Sequence, residues 1–201
     1  MSAVEYLDVL DDSFQIVGKV PRDEAHDKGL LHRVAHIWVI SVVDGSVWVW
    51  FQQRAHNKKD FPLLYDVAVG GHIDAGEPFQ KAAVREMWEE LGLVVQEEDL
   101  EYIGAFREDI LLPGFTDREL CETWFYCNPN PPFVPGEEVE RVVRLSLEEL
   151  VRTECGTACM AAAYTQHGEA VSIASEEWCS HARVFRELVL PALQKRKIAD
   201  Q

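Results

Sequence analysis

The chain has 201 residues, 47% of them hydrophobic and 27% charged, with a formal net charge of −16. That length suits one domain with a substantial core, and the composition is that of a soluble globular protein. The acidic excess excludes a surface for the phosphate backbone of nucleic acid, and it admits an anionic small substrate only where a metal or local cations reverse the potential.

Residues 1–20 read as a strand or hairpin turning near Asp11–Asp12. With neither a basic start nor an apolar h-region there, no signal peptide is expected. The runs His36–Val43 and Ser46–Gln53 are β-rich and joined by Asp44-Gly45, a hairpin signal. Tyr65–Val69 should be a strand entering a Gly70-Gly71 turn, and Phe79–Leu91 a helix with Pro78 as its first residue and Gly92 as its stop. Tyr102–Phe106, Glu122–Cys127 and Val139–Leu145 read as strands, and Leu147–Val151 as a short helix. The Ala-rich stretch from Arg152 to Ile173 reads as a long loop or irregular helix. A last helix is expected over Trp178–Lys195, capped by Ser175 and kinked or interrupted at Pro191.

No stretch approaches the roughly 18 apolar residues of a membrane span. The cysteines, Cys121, Cys127, Cys155, Cys159 and Cys179, are irregularly spaced. Cys155 and Cys159 stand at C-x3-C without the second pair of a zinc site, so reduced thiols in a cytoplasmic protein are expected. Separated helices among strands imply an α+β fold with a mixed central sheet between helices. A single domain over residues 1–201 is expected, with a helical extension from about 147.

The densest chemistry lies in Gly71–Leu93, GHIDAGEPFQKAAVREMWEELGL. On a helix, Glu86, Glu89 and Glu90 share one face, while Val84, Met87, Trp88 and Leu91 fall in another sector suited to a core. Ala82 and Ala83 lie near the carboxylates and are too small to obstruct them. Three like charges on one face repel, and a hard divalent cation such as Mg²⁺ relieves that repulsion while bridging to phosphates. Arg85 precedes Glu89 by one helical turn and can orient it; Glu77 can accept a hydrogen bond from Arg85 across the loop.

The run fits G-x5-E-x7-R-E-U-x-E-E-x-G-U (U aliphatic) at Gly71, Glu77, Arg85, Glu86, Met87, Glu89, Glu90, Gly92 and Leu93. A chance match has a probability on the order of 10⁻⁹ per starting position. The run resembles the signature of the Nudix hydrolases, which cleave diphosphates linked to a variable group. The resemblance implies a Nudix-type α/β/α sandwich and a Mg²⁺ or Mn²⁺ ion held by Glu86, Glu89 and Glu90. It also implies a small-molecule diphosphate substrate. The acidic charge and the lack of a long apolar span argue against nucleic-acid and membrane partners, and the β-rich runs fit a monomer or homodimer.

Outside the signature, Leu30–Ile40, Phe51–Pro62, Gly70–Glu77 and Asp117–Leu120 resemble isopentenyl-diphosphate isomerase, a Nudix-fold enzyme that moves a double bond. By that likeness His32, His72, Asp117 and Glu119 correspond to a second metal site, with His26 an approximate match. Arg54 and Lys58 correspond to residues that bind the substrate diphosphate. The catalytic cysteine of the isomerases is Gly70 here, which removes a main participant in proton delivery to carbon.

The expected reaction is therefore metal-dependent hydrolysis of a nucleoside-linked or other organic diphosphate, with Glu89 as ligand or water-activating base. Glu119 or Glu122 could take the base role, and Glu77 orients Arg85. A double-bond isomerase and a non-catalytic nucleotide or metabolite sensor stand as alternatives. The tryptophans mostly sit at strand spacing and suit core and sheet-face packing, with stacking of Trp124 and Phe106 on a base as the alternative. Residues 152–173 and 111–116 are candidate specificity loops. His36, His56, His167 and His181 carry no signal beyond composition.

Overall fold

The computed structural model describes residues 4–154, 156–179 and 181–199. Cys155, one half of the C-x3-C pair, lies outside the described residues. Strands β1 (Tyr6–Leu10) and β2 (Ile16–Pro21) form the expected N-terminal hairpin. Its turn is an Asx-turn in which the Asp11 carboxylate accepts the amides of Ser13 at 2.8 Å and Gln15 at 3.0 Å. A short helix α1 (Arg22–Asp27), not foreseen from the sequence, leads into β3 (Leu31–Val43). The hairpin from β3 into β4 (Ser46–Arg54) turns at Asp44-Gly45, both at positive φ.

After β5 (Tyr65–Val67) and β6 (Val69–His72) comes helix α2 (Phe79–Leu91). The next two strands, β7 (Leu100–Leu112) and β8 (Phe115–Cys127), are much longer than expected and pair along their lengths. The stretch 111–116, expected as a loop, is therefore the tip of this hairpin. β9 (Val139–Ser146) is followed by α3 (Leu147–Glu154).

The Ala-rich stretch corrects the sequence reading. It folds as a hairpin, β10 (Met160–Thr165) and β11 (Ala170–Ala174), turning through Gly168 at positive φ. Ala161, Ala163 and Thr165 are buried while Met160, Ala162 and Tyr164 face outward, a clean period of two. Alanine is depleted in strands, so composition hid the alternation. The region after residue 147 is thus not wholly helical.

The last helix also starts later than expected. Ser175–Glu177 is a 3₁₀ turn, and Trp178 instead bridges Tyr65 of β5. Helix begins at α4 (Ala182–Val184), passes through a π-helical segment at Phe185–Val189 and continues as α5 (Leu190–Ala199). The π segment stands directly before Pro191, which lacks the amide hydrogen an uninterrupted α-helix would use.

The strands form one mixed sheet in the order β11-β10-β9-β4-β3-β1-β2, with β5 on β4, β6 and β8 on β3, and β7 on β8. β3 pairs with β8 in parallel, from Leu31↔Arg118 to Ile40↔Cys127. Alternation along β3 feeds two cores. Ile37 and Val39 pack with Phe79, Met87 and Leu91 of α2 on one face. Trp38 and Ile40 pack with Leu150, Phe185 and Val189 on the other. Helices therefore cover both faces, the expected α/β/α arrangement. Among the described residues no helix is long and apolar enough to cross a membrane.

Candidate active site

Helix α2 delivers the carboxylates. Pro78 stands at its N-cap, one position before the expected start, and Gly92 ends it in the left-handed conformation at φ +64°. Phe79, Ala82, Ala83, Met87 and Leu91 are buried. Trp88, expected in the core, is 62% exposed at the cleft rim, whereas Glu90 is only 4% exposed. The buried sector is thus rotated toward Glu90, and Trp88 falls off its opposite edge.

Burial makes Glu90 a constructed feature rather than a solvated charge. Its Oε2 accepts Nε2 of Gln52 (β4) at 2.9 Å and the amide of Gly70 (β6) at 3.1 Å. Burial, with the neighbouring Glu86, holds its carboxyl well above the usual range. Burial likewise pushes Glu86 up to about 7, opposed by Arg85 and reinforced by Glu89 and Glu138. Gly71 makes room for Glu86: a Cβ on Gly71 would meet Glu86 Cδ at 2.1 Å.

Arg85 ties this cluster to the preceding loop. It donates to Glu77 at 2.9 and 3.3 Å, to the His72 carbonyl at 3.1 Å, to Glu86 at 2.5 Å and to Glu89 at 3.1 Å. The orienting contacts expected of Glu77 and Arg85 are present.

All three glutamates open on a cleft of about 1250 Å³, whose walls include Arg54, Lys58, His72 and Glu119. Arg54 donates to Asp66 at 2.9 Å and to the Asp60 carbonyl at 3.2 Å, while Lys58 pairs with Glu138. Of the two alternative bases, Glu119 lines the cleft, and burial beside Asp117 pushes its carboxyl up to about 8. Glu122 instead pairs with Arg33 at 3.0 Å. The aromatic rings pack, as the strand spacing of the tryptophans suggests, and form no stacking platform. Trp124 is buried between Phe79 and Tyr102, and Phe106 packs on the second core beneath Arg183, where it gains more by burial than by exposure to a ligand.

A second group of ligand atoms converges from α1, β3, β6 and β8. His26, His32 and His72 have ring centroids 5.1–5.2 Å apart, and the Nε2 atoms of His26 and His72 lie 3.1 Å from each other. His32 Nδ1 lies 2.9 Å from the Leu30 carbonyl, an arrangement that leaves Nε2 as the acceptor. That Nε2 is buried without a hydrogen bond, 3.7 Å from Asp117 Oδ1, which is buried and unpartnered as well. Ligand atoms of His26, His32 and His72 lie within 4.8 Å of one another, as do those of His32, Asp117 and Glu119. Burial lowers the pKa of His32 and His72, keeping both rings neutral and able to ligate. His26, an approximate match by spacing, is brought fully into the group.

His181, which no sequence signal marks, sits in the cleft wall between two carboxylates. Its Nε2 lies 2.9 Å from Asp66 and its Nδ1 2.5 Å from Glu108. No local spacing links residues on β5, β7 and the C-terminal segment.

The NUDIX domain family model matches residues 30–166, which include the whole of α2 and both ligand clusters except His26. The chain belongs to the Nudix family. Relatives include an uncharacterized Nudix hydrolase of Clostridium acetobutylicum, 32% identical over 74% of this chain and 73% of its own. Another, from Pseudomonas aeruginosa, is 32% identical over 74% of this chain and 85% of its own. A crystal structure of a Deinococcus radiodurans protein shares the fold, with a TM-score of 0.58 at 24% identity over 76% of this chain and 90% of that one. Nudix hydrolases cleave phosphoric anhydrides, and in this Nudix protein Arg85, Glu86, Glu89 and Glu90 of the signature stand on one helix, with Gly71 and Glu77 just before it.

Proposed function

We propose that this Nudix protein is a divalent-metal-dependent hydrolase of an organic diphosphate. One observation carries the reading: Glu86, Glu89 and Glu90 meet at the cleft, with Glu90 buried on Gln52 and Gly70, and Gly71 cleared to admit Glu86. Packed carboxylates of this kind are costly alone and fit Mg²⁺ or Mn²⁺. Such an ion, held by Glu86, Glu89 and Glu90, supplies charge neutralisation of diphosphate oxygens and activation of water.

The chain's own residues do the rest. Gln52 and the Gly70 amide fix the Glu90 carboxyl; Arg85, braced by Glu77, fixes Glu86 and Glu89. Arg54 and Lys58 receive the distal phosphate, Lys58 exchanging Glu138 for it. Glu89 or Glu119 takes the proton from attacking water. The substrate is a small molecule, since a chain of charge −16 offers no basic track for a nucleic acid. The enzyme acts as a cytoplasmic monomer or homodimer, with residues 1–201 as a single domain in which β10 extends the sheet from β9.

We further propose that His26, His32, His72, Asp117 and Glu119 hold a second divalent cation, the orphaned His32 Nε2 and Asp117 Oδ1 being the observation that favours it. Its mixed nitrogen and oxygen donors suit Mn²⁺ or Zn²⁺. The isomerase alternative is disfavoured, because Gly70 stands where that chemistry needs a thiol. Phosphate release and product mass across a panel of diphosphates, with Mg²⁺ or Mn²⁺, test the reading. Hydrolysis that disappears in Glu90→Gln supports it; a rearranged product, or near-normal turnover in that variant, overturns it.

A further inference from the structure

His181 ends a C-terminal segment whose backbone is tied to β5, the Cys179 amide donating to the Tyr65 carbonyl at 2.7 Å. That contact sets His181 beside Asp66. The histidine, Asp66 and Glu108 have side chains only 12%, 9% and 8% exposed. Asp66 is held on both oxygens: Oδ1 accepts from His181 Nε2 at 2.9 Å and from the Val67 amide at 2.8 Å, Oδ2 accepts Arg54 Nη1 at 2.9 Å, and the Cys179 thiol hydrogen-bonds to the carboxylate as well. Arg54 gives its Nε to the Asp60 carbonyl at 3.2 Å, and it lines the cleft.

Taken in order, Glu108, His181, Asp66 and Arg54 form an alternating chain of charges, the last three of which line the cleft. We propose that Glu108, His181 and Asp66 are a positioning relay that fixes the Arg54 guanidinium to receive a phosphate group, so that His181 sets diphosphate affinity through Arg54. The proposal rests on the diphosphate reading of the same cleft. A buried row of charges is no better than apolar packing for stability, but it holds a cationic fork in one orientation.

The groups around His181 are Asp66 on β5, Glu108 on β7, His36 on β3, Arg54 on β4, Glu119 on β8, Glu154 on α3 and Cys179 on its own segment. The two carboxylates hold the imidazolium well above the usual histidine range. His36, edge-on at 4.7 Å, is pushed down to about 3 by burial and adds no competing charge. A neutral His181 has only one ring N–H and can donate to only one of its two acceptors, which would break the relay.

The test is calorimetric binding of methylenediphosphonate with Mg²⁺ to the wild-type chain, His181→Gln, Arg54→Ala and the double variant, together with ring-nitrogen NMR of the wild-type histidines. His181→Gln is expected to weaken binding about tenfold, Arg54→Ala at least as much, and the double variant no more than Arg54→Ala. The His181 ring is expected to carry protons on both nitrogens at pH 7.5. Unchanged binding in His181→Gln, losses that multiply in the double variant, or a neutral His181 ring each overturn the relay. The NMR arm decides the matter if His181→Gln does not fold. Absence of wild-type binding overturns the diphosphate reading itself, and the relay with it.

Discussion

The Glu86 carboxyl occupies the space in which a side chain on Gly71 would begin, its Cδ lying 2.1 Å from where a Cβ would stand. Gly71 pairs with Ala35 in the β3–β6 ladder and cannot retreat without breaking that register. Gly71→Ala should therefore displace Glu86 and lower turnover about 100-fold, equivalent to roughly 2.7 kcal/mol of transition-state stabilisation. Diphosphate turnover and the melting temperature of the same preparation check this; full activity in a folded variant would count against Glu86 as a ligand.

Gln52, buried on β4, donates to Glu90 from beneath the cleft surface. Gln52→Leu removes the donor while keeping an apolar side chain of similar size. Affinity for Mn²⁺ should fall about 10- to 100-fold, as when an outer hydrogen bond to a ligand is lost. Titration of metal-free protein with Mn²⁺ measures it.

The histidine cluster makes a separate metal prediction. Protein stripped with a chelator and dialysed against Zn²⁺ or Mn²⁺ should hold one more ion per chain than His32→Ala treated alike. Elemental analysis gives the ratio, and equal metal content would remove the second site.

The contribution of Glu86 to the stability of the metal-free protein should shrink as pH rises. The folded pKa of Glu86, about 7, exceeds its ordinary 4.5, so the folded state binds more protons between those values. Its contribution is fully present below about pH 4.5 and lost as pH climbs through 7. Relative to Glu86→Gln, the melting temperature of the metal-free wild type should fall from pH 5 to 8, and fall less with Mg²⁺, which takes the proton's place. The comparison cancels the opposite contribution of the buried histidines. Identical profiles would argue against a cation among these carboxylates.

Local spacing made helix α2 and its glutamates legible, because residues three and four apart must share a face whatever the rest of the chain does. It misplaced Trp88, since which flank of a helix meets the sheet is decided by packing partners such as Gln52 and Gly70. The β10–β11 hairpin was hidden because Ala161 and Ala163 are buried without belonging to the residue types that mark strands. His32, His72, Asp117 and Glu119 were reachable only through likeness to another enzyme. Asp66, Glu108 and His181 were not reachable at all, because long-range pairing alone brings them together.

The parallel pairing of β3 with β8 sets His32 opposite Glu119. A slip of one residue would present Arg118 or Leu120 to the histidines and turn both acids to the other face. Assembly of these residues therefore waits for one of the longest chain closures in the molecule, so metal uptake at the proposed histidine site would report correct alignment of β3 with β8. A misaligned chain would keep α2 and its glutamates yet leave the histidines facing a cation or an aliphatic side chain. Metal content would then serve as a proofreading readout of folding, independent of catalysis.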